Sequence, residues 1–428
     1  MRTYRELFST REFTPLLLAS AGQTAAQTVS GLALGILVFE RTDSALLSSL
    51  AMFGPALAQL VGAVTVLSGA DRLPPRAAMT ALSLLFGAGT ALQAIPGLPT
   101  WALFVVLLGL GVAGSVSGGV RYGLLNEVLT REGYLLGRSV LNMSVGIIQI
   151  CGFALGGALV ALFSARGTLL LSAALYLLTA LLARFGLGAR PPRGSGRTSV
   201  AGTWCTNARL WSSVPRRYVY LALWVPNGLI VGVESLYVPY SPHEAGLFFA
   251  FGAAGMLVGD VLVGRFLPDR LRDRLAVPLC VLLAAPYLLF ALDPGLPLTL
   301  VIVTVATFGY AAGLLLQNRL MALTPDELSG QALGLHGSGM LTMQGVGAAV
   351  AGTVAELTSP ATGMVATAAA SLAATLILAP GLRTGTRQDT PTDEAPADRR
   401  NGEQRGGAAG SATGGTVGPG QGTDPARP

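Results

Sequence analysis

The chain has 428 residues, a mean hydropathy of +0.59, 51% hydrophobic residues and only 12% charged ones, about half the charge share of a soluble domain. A water-solvated globular protein is therefore excluded, and most of the chain must lie against lipid or against itself. All 28 basic residues are Arg and the net charge is +6, but the arginines fall in short clusters between apolar runs and make no continuous basic face, so nucleic acid is not an expected partner.

A bilayer crossing takes roughly 20 apolar residues. Runs of that kind are predicted at 13–39, 45–68, 77–95, 100–127, 138–163 and 167–187, and again at 217–240, 244–266, 274–292, 296–320, 328–356 and 359–381. Arg2, Arg5 and Arg11 before "FTPLLLASA" have the look of a secretory leader. The apolar stretch runs on past Gln23 and Gln27 to Phe39, however, and cleavage would leave one span unpaired, so the first span is expected to be retained. The organisation predicted is a six-helix unit at 1–188, a linker at 189–216, a second six-helix unit at 217–381 and a tail at 382–428. The linker is rich in Arg, Gly, Ser and Pro and reads as a solvated tether; Trp204, Leu210 and Trp211 offer the alternative of a short helix on the membrane surface. The tail has almost no large apolar residue to offset its ordering entropy and is expected to be disordered.

Alternating the sides of twelve spans places every arginine except Arg41 and Arg166 on one side. By the positive-inside rule that side is the cytoplasm, and both termini share it. Arginine without lysine in a chain dominated by Ala, Gly and Leu points to a bacterial source, hence to a multi-pass protein of the bacterial plasma membrane. Cys151, Cys205 and Cys280 are scattered without disulfide or metal spacing. No GxxxxGK[ST] loop, metal cluster or nucleophile elbow is present, so neither a cofactor nor an enzymatic activity is expected.

One short motif occurs twice. "DRLPPR" at 71–76 and "DRLRDR" at 269–274 share Asp, Arg, Leu and a final Arg at an offset of 198. Further on, "LTREG" at 129–133 pairs with "LTPDE" at 323–327, and "GGALVAL" at 156–162 with "AGTVAEL" at 351–357. Two homologous six-helix units account for these offsets.

Twelve spans, a basic central loop and Asp-Arg loops after spans 2 and 8 resemble the major facilitator superfamily over roughly residues 10 to 382. The resemblance implies an all-α fold of two pseudo-symmetric six-helix halves, with a cytoplasmic latch at Asp71, Arg72 and Arg76 and its repeat at Asp269, Arg270 and Arg274. "VRYGLLNEVLTREGYLLGRSVLNMSVG" is similar to the span 4–5 stretch of the enterobactin-exporter-like branch of drug and siderophore exporters, which assigns Arg121 and Glu127 to the cytoplasmic gate and puts Asn142 on the following helix. In "GIIQICGFALGG", Phe153 stands where exporters of the superfamily often carry Pro in a Gly-rich span 5 motif.

Ionisable groups inside spans are costly and are functional candidates. Glu234 in span 7 is a candidate for binding a proton or a cationic substrate, or alternatively an outer-gate carboxylate. Asp260 in span 8 is within reach of Arg265 and the Asp269 loop and reads first as a structural ion pair holding the inner gate, with proton coupling as the alternative. His336 in span 11 is either a proton carrier or a helix-to-helix hydrogen bond. Gln23, Gln27, Asn142, Gln149 and Asn227 are candidates to line a central cavity, with Trp224, Tyr237 and Phe308 adding aromatic surface. The expected function is export of a hydrophobic or amphipathic small molecule in exchange for protons, by a monomer whose other partner is the lipid bilayer. An importer or uniporter of the same fold and a non-transporting membrane receptor or scaffold remain open.

Overall fold

The computed structural model describes residues 4–65, 74–129, 131–191, 200–266 and 268–384. Among these there are helices and no strands. A short α1 (Tyr4–Ser9) leads into α2 (Phe13–Thr42), α3 (Ala45–Thr65), α4 (Pro75–Gln93), α5 (Thr100–Val128) and α6 (Arg131–Gly186). After α7 (Val200–Ser212) come α8 (Val214–Ser235), α9 (Tyr237–Tyr240), α10 (Ala245–Phe266), α11 (Asp269–Ala284), α12 (Leu296–Phe308), α13 (Ala312–Ala322), α14 (Ser329–Leu357) and α15 (Pro360–Thr384).

Ten of the described helical segments are long and apolar enough to cross a bilayer. One of them holds two crossings. The 56 residues of α6 would extend about 84 Å as one helix, far more than a bilayer core, and the chain breaks at Ser164, where φ is 63° and ψ is 167°. A non-glycine residue enters positive φ only at a cost. Here the hydroxyl offsets part of it, accepting the Gly167 N–H at 3.4 Å as an N-cap for the second limb. With the less apolar α4 supplying span 3, the layout is twelve helices in two sets of six.

The repeat is visible in the packing. In the first half, Gly152 of α6 meets the Thr28 side chain of α2; in the second, Gly347 of α14 meets the Gly228 backbone of α8. Gly152 and Gly347 differ by the same offset of 195 that relates the GGALVAL and AGTVAEL stretches. The absent Cβ atoms let both helix pairs approach closely.

Among the described residues, three larger apolar clusters and a small fourth around Phe86 and Tyr176 set the shape. One is made only of first-half residues, among them Phe13, Leu16, Leu124 and Leu141. Another lies in the second half, around Tyr220, Leu279 and Leu316. The third joins both halves, running from Leu32–Val38 of α2 through Ile230 and Val233 of α8 to Phe248, Tyr287 and Ala351. This shared core sits at the end of the bundle where α2 turns into α3, opposite the end that carries α1. Every described hydrogen bond or glycine contact between the halves lies at this end or near mid-bundle. Ser44 Oγ donates to Glu356 Oε2 at 3.0 Å, Ser235 Oγ to Ser49 Oγ at 3.1 Å, Gly157 abuts Gly246, and Gly352 meets Leu46. The halves are thus fused at one end, with separate cores at the other.

The linker differs from the expected tether. Val200–Ser212 is helical, with Leu210 fully buried and Trp211 stacked on Trp224 at 5.7 Å and 10°. Asn207 Oδ1 accepts a hydrogen bond from Gln331 Nε2 at 2.8 Å. Apolar and amide groups spaced along one helix found partners on α8 and α14, which composition alone did not reveal. The tail from 385 onward lies outside the described residues.

Candidate functional site

A cavity of about 360 Å³ lies between the halves in the middle of the bundle. Its polar wall includes five glutamines on five helices, Gln27 (α2), Gln59 (α3), Gln93 (α4), Gln149 (α6) and Gln344 (α14), together with Arg121 of α5; Gln93 Nε2 is turned to the Leu103 carbonyl at 3.4 Å. Phe53, Phe86, Leu107 and Phe153 supply apolar wall. Most of the lining belongs to the first half; the second contributes Leu341 and Gln344. A second depression, of about 500 Å³, opens at the fused end between Glu40, Asp43 and His243.

Of the residues expected to line a cavity, Gln27 and Gln149 do so. Gln23 instead donates to Ser117 Oγ at 2.9 Å, and Asn227 sits behind the wall, accepting from Gln344 Nε2 at 3.3 Å. Trp224 is turned to the other side of α8. Its ring lies between Trp211 and Tyr220, and its N–H donates to the His336 carbonyl at 3.1 Å. The side chain of Asn142 lies outside the described residues. Gln59 and Gln344 were not singled out in the sequence, although a lone glutamine in an apolar run is the same signal that drew attention to Gln27.

Arg121 was assigned to the cytoplasmic gate with Glu127, and the structure separates them. Arg121 faces the cavity with its guanidinium 5.7 Å from the centroid of the Tyr122 ring. Glu127, near the end of the same helix, lies 3.6 Å from Arg190 Nε. Six positions along a helix amount to about 600° of rotation, which turns the two side chains to different faces. Arg190 also donates from Nη1 to Glu12 Oε2 at 2.6 Å, so the linker's first residues clamp α2 and α5 together. Burial pushes the Glu12 carboxyl up, but hydrogen bonds from Arg190 and the Gly188 N–H, with the charges of Arg190 and Arg11, hold it below its ordinary value.

Asp71 and Arg72 lie outside the described residues, as do the side chains of Asp269 and Arg270, which open α11. Arg76 is half-buried in the first turn of α4 and Arg274 is exposed. Asp260 is half-buried and forms no pair with Arg265. The two are five residues apart on α10, about 140° around the helix, so the expected ion pair cannot close within that helix.

Glu234 is half-buried near the end of α8, with Tyr310 Oη donating to its Oε1 at 2.9 Å. One turn on, Tyr237 is fully buried, its hydroxyl 2.6 Å from that of Tyr287. The Tyr237 ring meets Phe249 edge-on at 5.0 Å, and Phe249 stacks on Phe153 of the cavity wall. The tyrosine partner of Glu234, Tyr310, lies 76 residues further along the chain and had no signal in the sequence. His336 is buried, its Nε2 3.2 Å from Gln317 Nε2, while its Nδ1 has no hydrogen-bond partner among the described residues; it is not part of the cavity wall.

Twelve apolar helices in two repeated halves, fused at one end around a central polar cavity, define a membrane transporter. Residues 16–321 match the sequence profile of the Major Facilitator Superfamily, and the chain belongs to that family. No curated protein matches its sequence. Among solved structures, it is similar to a bacterial homolog of the human lysosomal transporter Spinster in an inward-facing, unoccupied conformation, with 14% identity, a TM-score of 0.66, and 88% of this chain and 96% of that chain covered. A POT family transporter in complex with 5-aminolevulinic acid gives 11% identity and a TM-score of 0.67, covering 88% and 96%. The nucleoside transporter NupG gives 13% and 0.67, covering 86% and 99%.

Proposed function

We propose that this protein exports a hydrophobic or amphipathic small molecule from a bacterial cell, driven by proton antiport. The observation that carries the reading is the division of the cores: fused at one end of a central cavity and separate at the other. Two halves that rock about such a cavity expose it to one side of the membrane at a time. With no nucleotide-binding loop in the sequence, the energy comes from an ion gradient. Glu234 is the coupling group in this reading, a carboxylate within a span whose charge must be compensated or neutralised and whose Tyr310 partner accommodates either state. Asp260 and His336 stand behind it.

The halves are 1–188 and 217–381, joined by 189–216, and the chain works as a monomer in the plasma membrane. Both termini lie in the cytoplasm, on the side to which the cavity opens. Asp71, Arg72, Arg76, Asp269, Arg270 and Arg274 latch that side when the cavity faces outward. The export direction draws on the likeness of the α5–α6 stretch to the enterobactin-exporter-like branch.

A susceptibility panel in an efflux-deficient bacterium tests the proposal. Wild type is expected to protect against at least one compound, and Glu234→Gln to reach the membrane in equal amount without protecting. Full protection by Glu234→Gln removes that residue from the mechanism. In liposomes under an imposed pH gradient, movement of compound and protons in the same direction overturns antiport.

A further inference from the structure

We propose that the central cavity selects an oxyanion: an amphipathic substrate whose carboxylate or phosphate is held by Arg121 within a collar of glutamine amides. The inference rests on the transporter reading above and names the substrate class of that same cavity.

Arg121 is a permanent cation inside a membrane-spanning helix. Its Nε is buried and has no hydrogen-bond partner among the described residues, and its interaction with the Tyr122 ring contacts the guanidinium without using that N–H. A charge removed from water is tolerated when an opposite charge or several hydrogen bonds meet it, and a guanidinium is shaped to meet carboxylate or phosphate through parallel N–H donors. No Asp or Glu is among the described residues that line the cavity, so none of these supplies the compensating negative charge that a ligand can bring.

The rest of the wall agrees in chemistry. The side-chain amides of Gln27, Gln59 and Gln149 have no hydrogen-bond partner among the described residues and face the same space from three helices. Each offers N–H donors to the remaining lone pairs of an oxyanion. Phe53, Phe86 and Phe153 supply an apolar surface for the body of the molecule, the combination of a mostly apolar wall and a few convergent polar groups that small-molecule sites share. A cationic substrate would meet a like charge and no carboxylate.

Four probes with one phenylbutyl body separate the alternatives: 4-phenylbutanoate, 4-phenylbutylphosphonate, 4-phenylbutanamide and 4-phenylbutylammonium, each titrated calorimetrically into the full chain in lipid nanodiscs. At least one of the two anions is expected to bind about tenfold or more tighter than the amide and the ammonium, the scale of a charge-assisted hydrogen-bond pair. Comparing the two anions tells carboxylate from phosphate chemistry. Arg121→Gln is expected to bring the anions to the level of the amide, with a melting temperature near that of wild type reporting that the variant is folded. Arg121→Lys is expected to keep the preference for anions. The proposal is overturned if the ammonium binds as tightly as the anions, if Arg121→Gln keeps the anion preference, or if none of the four binds at millimolar concentration. Anion preference in a chain that moves nothing across liposomes would instead sink the transport reading and leave this one standing.

Discussion

Phe153 of α6 stacks on Phe249 of α10 across the seam between the halves, with ring centroids 4.9 Å apart and planes 14° from parallel. The contact ties the cavity wall to the fused end: Phe153 lines the cavity, and Phe249 meets Tyr237, whose hydroxyl pairs with that of Tyr287.

Removing that pair should loosen the seam. Aromatic pairs add about 0.5–1.5 kcal/mol beyond their buried area, so Phe153→Ala is expected to raise the population of states open at the fused end by about two- to tenfold. Ser49→Cys, placed where Ser49 is now buried against Ser235, reports the change. Its labelling by a membrane-impermeant maleimide should speed up by a similar factor in the Phe153→Ala background, and an unchanged rate would show that the stack does not hold the seam.

Two glycine contacts that look alike in the sequence should behave differently when filled. Gly157 abuts the Gly246 backbone between the halves, whereas Gly228 abuts Gly347 within one half. Gly157→Leu is expected to prevent closure of the fused end and abolish transport at an unaltered melting temperature. Gly228→Leu should overpack a permanent helix pair and cost about 1–3 kcal/mol of stability. Equal melting temperatures for the two variants would contradict the division into rigid halves.

The Glu12–Arg190 pair predicts a pH dependence with a definite sign. Because the folded Glu12 carboxyl titrates below its ordinary value of 4.5, its contribution to stability is complete above that value and fades as pH falls through the lower, folded one. Both side chains are 25% exposed, so water screens the pair and the contribution is at most about 1 kcal/mol. Arg190→Ala should melt slightly earlier than wild type at neutral pH, and the difference should vanish in acid. A gap that widens on acidification would contradict the pairing.

Several features were legible because they depend on local composition or repetition. The long apolar runs gave the helices to within a few residues, and Gly152 and Gly347, related by the repeat, make matching contacts. The kink at Ser164 was readable as a boundary because no single helix of that length fits a bilayer. Partners distant in the chain were not legible. Nothing near Arg190 in the sequence points to Glu12, and nothing near Glu234 points to Tyr310. The linker left two readings, a tether and a short surface helix at Trp204, Leu210 and Trp211, because its composition fits both until α8 and α14 provide surfaces for Trp211 and Asn207.

By itself, the sequence determined that this chain crosses a membrane twelve times in two related sets, because lipid admits only segments that satisfy their own backbone hydrogen bonds and bury apolar side chains. Only the tertiary structure decided which end is fused, which polar groups share a cavity, and that Arg121 turns inward while Glu127 turns to Arg190. Those outcomes depend on the rotation of each helix about its axis and on contacts hundreds of residues apart. An apolar pattern that faces lipid on one side and protein on the other, both lacking water, leaves that rotation undetermined until the helices pack.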